Sequence, residues 1–326
     1  MILMNEFTAE PAELREAMLA AAARVFASGW YVLGPEVQAF ERQWAAACDT
    51  EHCIGVANGM DAIELGLRAL NIGPGDEVIT TPMTAFATAL AILRAGASPV
   101  FADIDADTGL LSAQSVQRCL TRRTRAVVLV HLYGQIRDME TWVDLCRAAK
   151  IELIEDCAQS HLASWNGRVA GSFGAIGAYS FYPTKNLGAI GDGGAVVTQS
   201  ADIAKRIGQL RNYGQSERYI HPLAGMNSRL DELQAASHAQ HLFVVRCEAR
   251  DELQDHLKSC GVQSLIHYPV PVHHQQPCLN LRHDPQSLTN AEAHARTCLS
   301  IPCHPQMSDA DVDRVVDSVN TFAAGG

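Results

Sequence analysis

Residues 151–198 read IELIEDCAQSHLASWNGRVAGSFGAIGAYSFYPTKNLGAIGDGGAVVT. The apolar run ending in Asp156 predicts a strand followed by a polar loop. A second strand is expected to end near Ser180, and a turn then holds Lys185. Gly188, Gly191, Gly193 and Gly194 lead into a third strand, 195–198. An acid at one strand end and a lysine on a turn after another suit one chemistry. The lysine holds an aldehyde cofactor as an imine, and the acid holds a pyridinium nitrogen. The expected cofactor is pyridoxal 5'-phosphate (PLP).

Working back toward the N-terminus, 126–130 is a β-branched run that reads as a buried strand, and 142–150 as a helix. The stretch GDEVITTPMTAFATALAILRAGASPVFADID is a strand, a loop, a helix and a strand at 99–102. Residues 53–56 form a short strand, and ANGMDAIELGLRAL starts a helix with Asn58 as N-cap. Free amides and the positive dipole end at such a helix start suit a phosphate. The plainer alternative is that Asn58 merely caps the helix. Residues 11–27 read as a helix with Leu14, Met18, Val25 and Phe26 as its apolar stripe. Pro35 opens another helix through Ala47, with Val37, Phe40 and Trp44 on one face. This alternation predicts an α/β fold with a largely parallel sheet. Asn58, Thr84, His131, Asp156 and Ser180 gather after the strands, where ligands of such sheets usually sit.

Beyond Thr198 a helix is expected over 203–210. Arg211, Arg218 and Arg229 then concentrate positive charge, although scattered arginines more often form a solvated surface. From His241 the composition shifts. HLFVVR reads as a strand, EARDELQDHLKSCG as a helix ending at Gly261, VQSLIHYP as another strand, and the closing HPQMSDADVDRVVDSVNTFAA as a helix. We therefore expect a large domain over 1–235 and a smaller α+β domain over 236–326.

The 326 residues are 48% hydrophobic and 19% charged, an ordinary globular composition. A net charge of −11 without a basic block argues against nucleic-acid binding, which relies on lysine and arginine facing phosphates. Ten cysteines without CxxC pairs support neither a zinc nor a disulfide framework, and point to a reducing cytoplasm. No metal is expected. The start lacks the basic-then-apolar layout of a signal peptide, and 85–100 is broken by Arg94, Gly96 and Pro99, so no membrane span is expected.

The motifs SGWYVLGPEVQAFE, GVANGMDAIELGLRALNIGPGDEVIT, VLVHLYGQIRDM, IEDCAQSHLA, SFYPTKNLGAIGDGGAVVT, NSRLDELQAA and IHYPVPVHHQ run over nearly the whole chain. Together they resemble the DegT/DnrJ/EryC1/StrS group of PLP-dependent sugar aminotransferases, which have the fold-type-I aminotransferase fold. SFYPTKN with the upstream EDCAQ is the most specific part. The resemblance implies that Lys185 binds the cofactor aldehyde and then shuttles a proton. It sets Asp156 against the pyridine nitrogen and Gln159 beside the ring. It gives the phosphate Ser180 and the amides of Gly59 and Met60, and brings Asn227 from a neighbouring subunit, so that the active sites belong to a homodimer. The plainer readings are a surface lysine at 185, a helix N-cap at Asp156 and a sheet-facing hydroxyl at Ser180.

Three departures stand out. Met60 replaces the Thr or Ser that family members often carry, so it offers the phosphate no hydroxyl. Ala85 stands where an aromatic often stacks on the ring, so either Phe86 or Met83 covers the ring or its face is more open. NSRLDELQAASHAQ runs directly into HLFVVR, whereas several dozen residues lie between them in the family. The resemblance implies amino transfer to a nucleotide-linked keto-sugar with glutamate as donor, and most resembles members acting at C3 of dTDP-3-keto-6-deoxyhexoses. Tyr213, Tyr219, Arg229, His273 and His304 are the substrate-binding candidates. A sugar dehydratase or lyase on the same scaffold is an alternative, disfavoured because those members replace the lysine with histidine. A non-catalytic regulatory homologue is another.

Overall fold

The computed structural model describes residues 1–236, 243–304 and 306–324, and its apolar runs assemble into one seven-stranded sheet. In chain order the strands are β1 (His52–Val56), β2 (Glu77–Thr80), β3 (Ser98–Phe101), β4 (Thr124–Val130) and β5 (Glu152–Asp156). A small hairpin follows, β6 (Ser164–Trp165) and β7 (Arg168–Val169), and then come β8 (Ile176–Ser180) and β9 (Gly194–Thr198). The spatial order is β1-β9-β8-β5-β4-β2-β3. The pairs β2–β3, β2–β4, β4–β5 and β5–β8 are parallel; β9 runs antiparallel to both β8 and β1.

Helices cover both faces, which is why the strands read as near-continuous apolar runs. On β4, Val127 and Leu129 enter one core, while Ala126 and Val128 enter the other. The first core is closed by α2 (Pro35–Ala47), α5 (Ala113–Cys119) and α6 (Met139–Ala149). The second is closed by α3 (Gly59–Ala69), α4 (Phe86–Arg94) and α7 (Ala201–Leu210). Each fully buried aliphatic side chain contributes roughly 1.5–3 kcal/mol. Helix α1 (Ala12–Ser28) forms as the alanine-rich sequence predicts, yet of its expected stripe only Val25 is buried, and Phe26 is 62% exposed.

Beyond the sheet, β10 (Phe243–Arg246) pairs antiparallel with β11 (Cys298–Ile301), and α8 (Arg250–Ser259) and α10 (Asp309–Ala324) pack on each other. Their core holds Leu253, Leu257, Val262, Leu299, Ile301 and Val315, and it also takes Ile2 from the other end of the chain. The segment around α9 (Thr289–Thr297) joins this unit to the sheet: Val272, Leu288, Ala291 and Ala295 pack with Phe101, Val130 and Leu132. VQSLIHYP is not the strand its composition suggests. It makes only isolated bridges, Val262 with Ile2 and Leu265 with Ser300. Pro269 ends the segment and Pro271 follows, and neither has an amide to extend a ladder. The shortening expected near 240/241 lies outside the described residues. Among the described residues, no helix is long and apolar enough to cross a membrane.

The register explains how distant motifs meet. Gly194 stands opposite both Val56 and Ser180, so the start of α3 and the end of β8 converge across it. A Cβ at Gly194 would overlap the Asn58 carbonyl, so glycine is required at this crossing. The NSRLDELQAA motif has a clear local task. The buried Glu232 carboxylate accepts from the amides of Gly34 (2.8 Å), Glu36 (2.8 Å) and Val37 (2.9 Å), capping α2 from far along the chain. Glu232→Ala strands these amides, and we expect a loss of about 2–4 kcal/mol, visible as a lower chemical-denaturation midpoint. An unchanged midpoint would contradict the capping role.

Candidate active site

Asp156 closes β5 with its side chain buried. One carboxylate oxygen accepts from Thr88 Oγ1 (2.8 Å) and the other from the Ala158 amide (3.1 Å). Thr88 is in turn 2.9 Å from Thr84 Oγ1, so a buried hydroxyl pair on the α4 side fixes the acid. Thr88 went unnoticed in the sequence; FATAL reads as helix filler until folding places it beside β5. The residue after Asp156 begins a turn rather than a helix, so Asp156 is no N-cap.

Lys185 sits on a tightly folded loop. Its amide donates to Tyr182 O (2.8 Å), the Phe181 amide to Gly193 O (2.8 Å) and the Ala189 amide to Phe181 O (2.8 Å). Gly188 packs so closely on the Pro183 carbonyl that no side chain fits there. The lysine is half-buried, and its ammonium makes no hydrogen bond or ion pair among the described residues. Burial pulls its pKa below the ordinary 10.5, with the nearby Asp156 charge opposing. A desolvated amine without a fixed partner is suited to attack a carbonyl or to accept a proton.

The residues expected to hold the phosphate lie close together. The Asn58 side chain caps α3 by accepting from the Asp61 amide (2.8 Å). Gly59 lies against Ser180: a Cβ there would be 2.5 Å from Ser180 Cβ. Met60 packs into the α3-side core, which leaves its amide, not its side chain, at the helix start. Free helix amides beside a serine hydroxyl form an anion site, and a Cβ at Gly59 would fill it. A desolvated lysine, a hydroxyl-held acid and this cradle together fit PLP. Of the two residues considered for covering its ring, Met83 is completely buried, while Phe86 is half-buried at the start of α4.

Gln159 joins the sheet to the C-terminal unit. Its Oε1 accepts from the Tyr133 amide (2.7 Å), and its Nε2 donates to the Tyr268 hydroxyl (3.3 Å). Burial, aided by the Asp156 charge, pushes the Tyr268 pKa up to about 12. The Tyr133 hydroxyl donates to the His267 carbonyl. Burial, and then the charge of Lys185, lower the His267 pKa. His267 and Tyr268 are site residues that sequence reasoning missed. Both lie in the IHYPVPVHHQ motif, but nothing in it shows that its first half reaches the sheet.

The substrate candidates fall in three places. Tyr213 and Arg229 lie together, the guanidinium 5.3 Å from the ring centroid, in a surface segment that also holds Tyr219 (78% exposed) and the exposed Asn227. His273 contacts Glu292 and His274. His304 contacts Leu3 O (3.2 Å) and Gln306 (3.1 Å), so its partners come from the chain's start and its own neighbourhood rather than from the lysine site.

Fold and site together define an α/β aminotransferase of fold type I. The sequence profile of the DegT/DnrJ/EryC1/StrS aminotransferase family matches residues 12–237 and 236–320, and the chain belongs to this family. It is 41% identical to the dTDP-3-amino-3,4,6-trideoxy-alpha-D-glucose transaminase of Streptomyces venezuelae, covering 95% of this chain and 93% of the relative. That alignment spans 353 positions, more than the 326 residues here, so the relative contains residues this chain lacks. Among solved structures, S. venezuelae DesV in complex with a ketimine intermediate superposes with a TM-score of 0.94 at 40% identity, covering 99% of this chain and 98% of that one. NtdA from Bacillus subtilis, with bound cofactor PMP, gives 0.88 at 25% identity, covering 96% and 82%. The family's cofactor is PLP.

The cradle makes Gly59 sensitive. Gly59→Ala should weaken cofactor binding by at least about tenfold, about 1.4 kcal/mol, in a PLP titration followed by absorbance. Thr88→Val should retain the cofactor but lower turnover roughly tenfold or more, the loss of one hydrogen bond to a charged group. Wild-type turnover in Thr88→Val would show that the hydroxyl does not hold a working carboxylate.

Proposed function

We propose that this protein transfers an amino group from glutamate to a nucleotide-linked keto-deoxysugar, at C3 of a dTDP-3-keto-6-deoxyhexose. The observation that carries the reading is the unpartnered, desolvated Lys185 ammonium near an acid held by Thr88. The S. venezuelae relative, whose name places an amino group at C3 of a dTDP-linked sugar, supports the choice of substrate.

PLP, when bound, supplies an electron sink for the C–H bond broken in amino transfer. Asp156 would hold the ring nitrogen in its protonated form. Lys185 Nζ, neutral once released, would carry the proton from the substrate carbon to C4′ of the cofactor, the shift that amino transfer requires. Ser180 and the amides of Gly59 and Met60 would bind the phosphate, with Gln159 and Phe86 beside the ring. Asn227 would reach the phosphate in a second copy of the chain, which its exposure permits. Tyr213, Tyr219, Arg229, His273 and His304 remain our candidates for gripping the substrate. We set the division between large and small domains at 235/236, where the family match breaks, with Ile2 returning to the small-domain core. We place the enzyme in the cytoplasm, where ten unpaired cysteines stay reduced.

Purified protein should be yellow, borohydride should fix the cofactor to Lys185, and glutamate should convert it to the amine form. A protein that takes up no PLP would overturn the reading; one that binds PLP but ignores glutamate would overturn the donor. Lys185→Ala should abolish turnover, and Asp156→Asn should keep the fold while losing most of the rate. Because the Lys185 pKa is lowered, more of the amine is neutral at a given pH than in a free lysine. The rate should therefore rise with pH through an apparent pKa below 10.5. Lys185→Ala and Asn227→Ala should each lose activity alone, and mixing the two should restore part of it, since a mixed dimer regains one intact site. No recovery would place Asn227 in its own subunit's site.

A further inference from the structure

We propose that His273, His274 and Glu292 form a binding site for a divalent transition-metal ion of the zinc class. The site is distinct from the Lys185–Asp156 pair, and it assigns His273 to the metal rather than to the substrate.

His273 and His274 lie on the short 3-10 turn Val272–His274, and Glu292 lies in the first turn of α9. Consecutive residues on such a turn normally point about 120° apart. Here the two rings are only 4.1 Å apart between centroids, and both Nε2 atoms face the same oxygen of Glu292. The separations are 3.4 Å for His273 and 3.6 Å for His274. The His273 contact is a hydrogen bond at the long limit, where charge-assisted ones are about 2.7–2.9 Å, and the 3.6 Å contact of His274 lies beyond it. The distances match instead the edge of a coordination shell. Ligands about 2.0–2.1 Å from a tetrahedral zinc lie roughly 3.3 Å apart. All three donor atoms fall within 4.8 Å of one another.

The donor chemistry agrees. Two imidazoles and one carboxylate suit zinc and its neighbours, whereas magnesium and calcium prefer oxygen alone. His273 is largely buried and packs near Phe101, and Nε2 is the ring atom that faces Glu292. The His274 and Glu292 side chains are 51% and 37% exposed, which leaves an entry path and room for water on the ion. The turn itself is anchored, with the Val272 amide donating to Pro82 O (2.8 Å). A second cluster, His131, Glu155 and Cys157, is fully buried, but its carboxylate already accepts from four donors. A bound ion would clamp the turn that follows Tyr268 onto α9, whose His294 stacks on Tyr133. It would thereby brace the contact between the C-terminal unit and Gln159.

The test uses the untagged holoenzyme after chelator treatment, titrated with zinc chloride in a calorimeter. We expect one ion per chain and a higher thermal midpoint with zinc, since a ligand of the folded state alone stabilises it. His274→Ala and Glu292→Gln should each weaken binding by more than about tenfold, the cost that even an outer-sphere partner can carry. Cys303→Ser, removing the exposed thiol, should bind as the parent does. Cobalt substitution should give d–d bands without a thiolate charge-transfer band. Absence of binding at up to about 1 mM zinc would overturn the proposal. So would undiminished binding by His274→Ala, provided its cofactor absorbance and metal-free midpoint match the parent's.

Discussion

The end of β5 carries two adjacent carboxylates that a strand must send to opposite sides. Glu155 goes one way and is completely buried. It accepts from His131 Nε2 (2.9 Å) and from the amides of Gly171, Phe173 and Gly174 (each 2.8 Å). A buried carboxylate is tolerated only when its oxygens are satisfied, and four donors achieve this. That anchorage ties the strand end to the loop before β8. Asp156 is thereby fixed on the other side, where Thr88 and the Ala158 amide orient it. The position of the acid depends on its neighbour being saturated.

The C-terminal unit is more than a cover. Tyr268 bonds Gln159, and Tyr133 is held between the His267 carbonyl and the ring of His294. These contacts bring residues more than a hundred positions apart to the edge of the Asp156–Lys185 region. Movement of this unit would be felt at Gln159 directly. The same junction contains the apolar cluster of Phe101, Leu132, Val272 and Ala291, which makes the connection a packed one.

Glycine sets the closest approaches in the sheet. Gly194 lets β9 pass under Asn58, and Gly59 lets α3 begin against Ser180. The proposed phosphate cradle thus rests on backbone proximity. Met60 can turn its side chain into the core without removing an amide from the site.

Periodicity and turn chemistry in the sequence made the strands of the sheet, α2 and the Lys185 turn legible, because each is decided by local pattern and by burial on two faces. SFYPTKN and EDCAQ made the lysine and the acid legible, because the chemistry requires those residue types. The α1 stripe misled, since an apolar face shows that burial is available and not that the rest of this chain supplies it. VQSLIHYP misled because strand propensity cannot form a ladder without a partner of matching length. The sequence by itself determined the α/β class and the family, and singled out the lysine–acid pair that we propose for catalysis. Only the tertiary structure decided that Thr88 orients Asp156, that Tyr268 reaches Gln159, and that two neighbouring histidines turn onto one glutamate. Those contacts join segments far apart in the chain, and their geometry follows from sheet register and packing, which no local window contains.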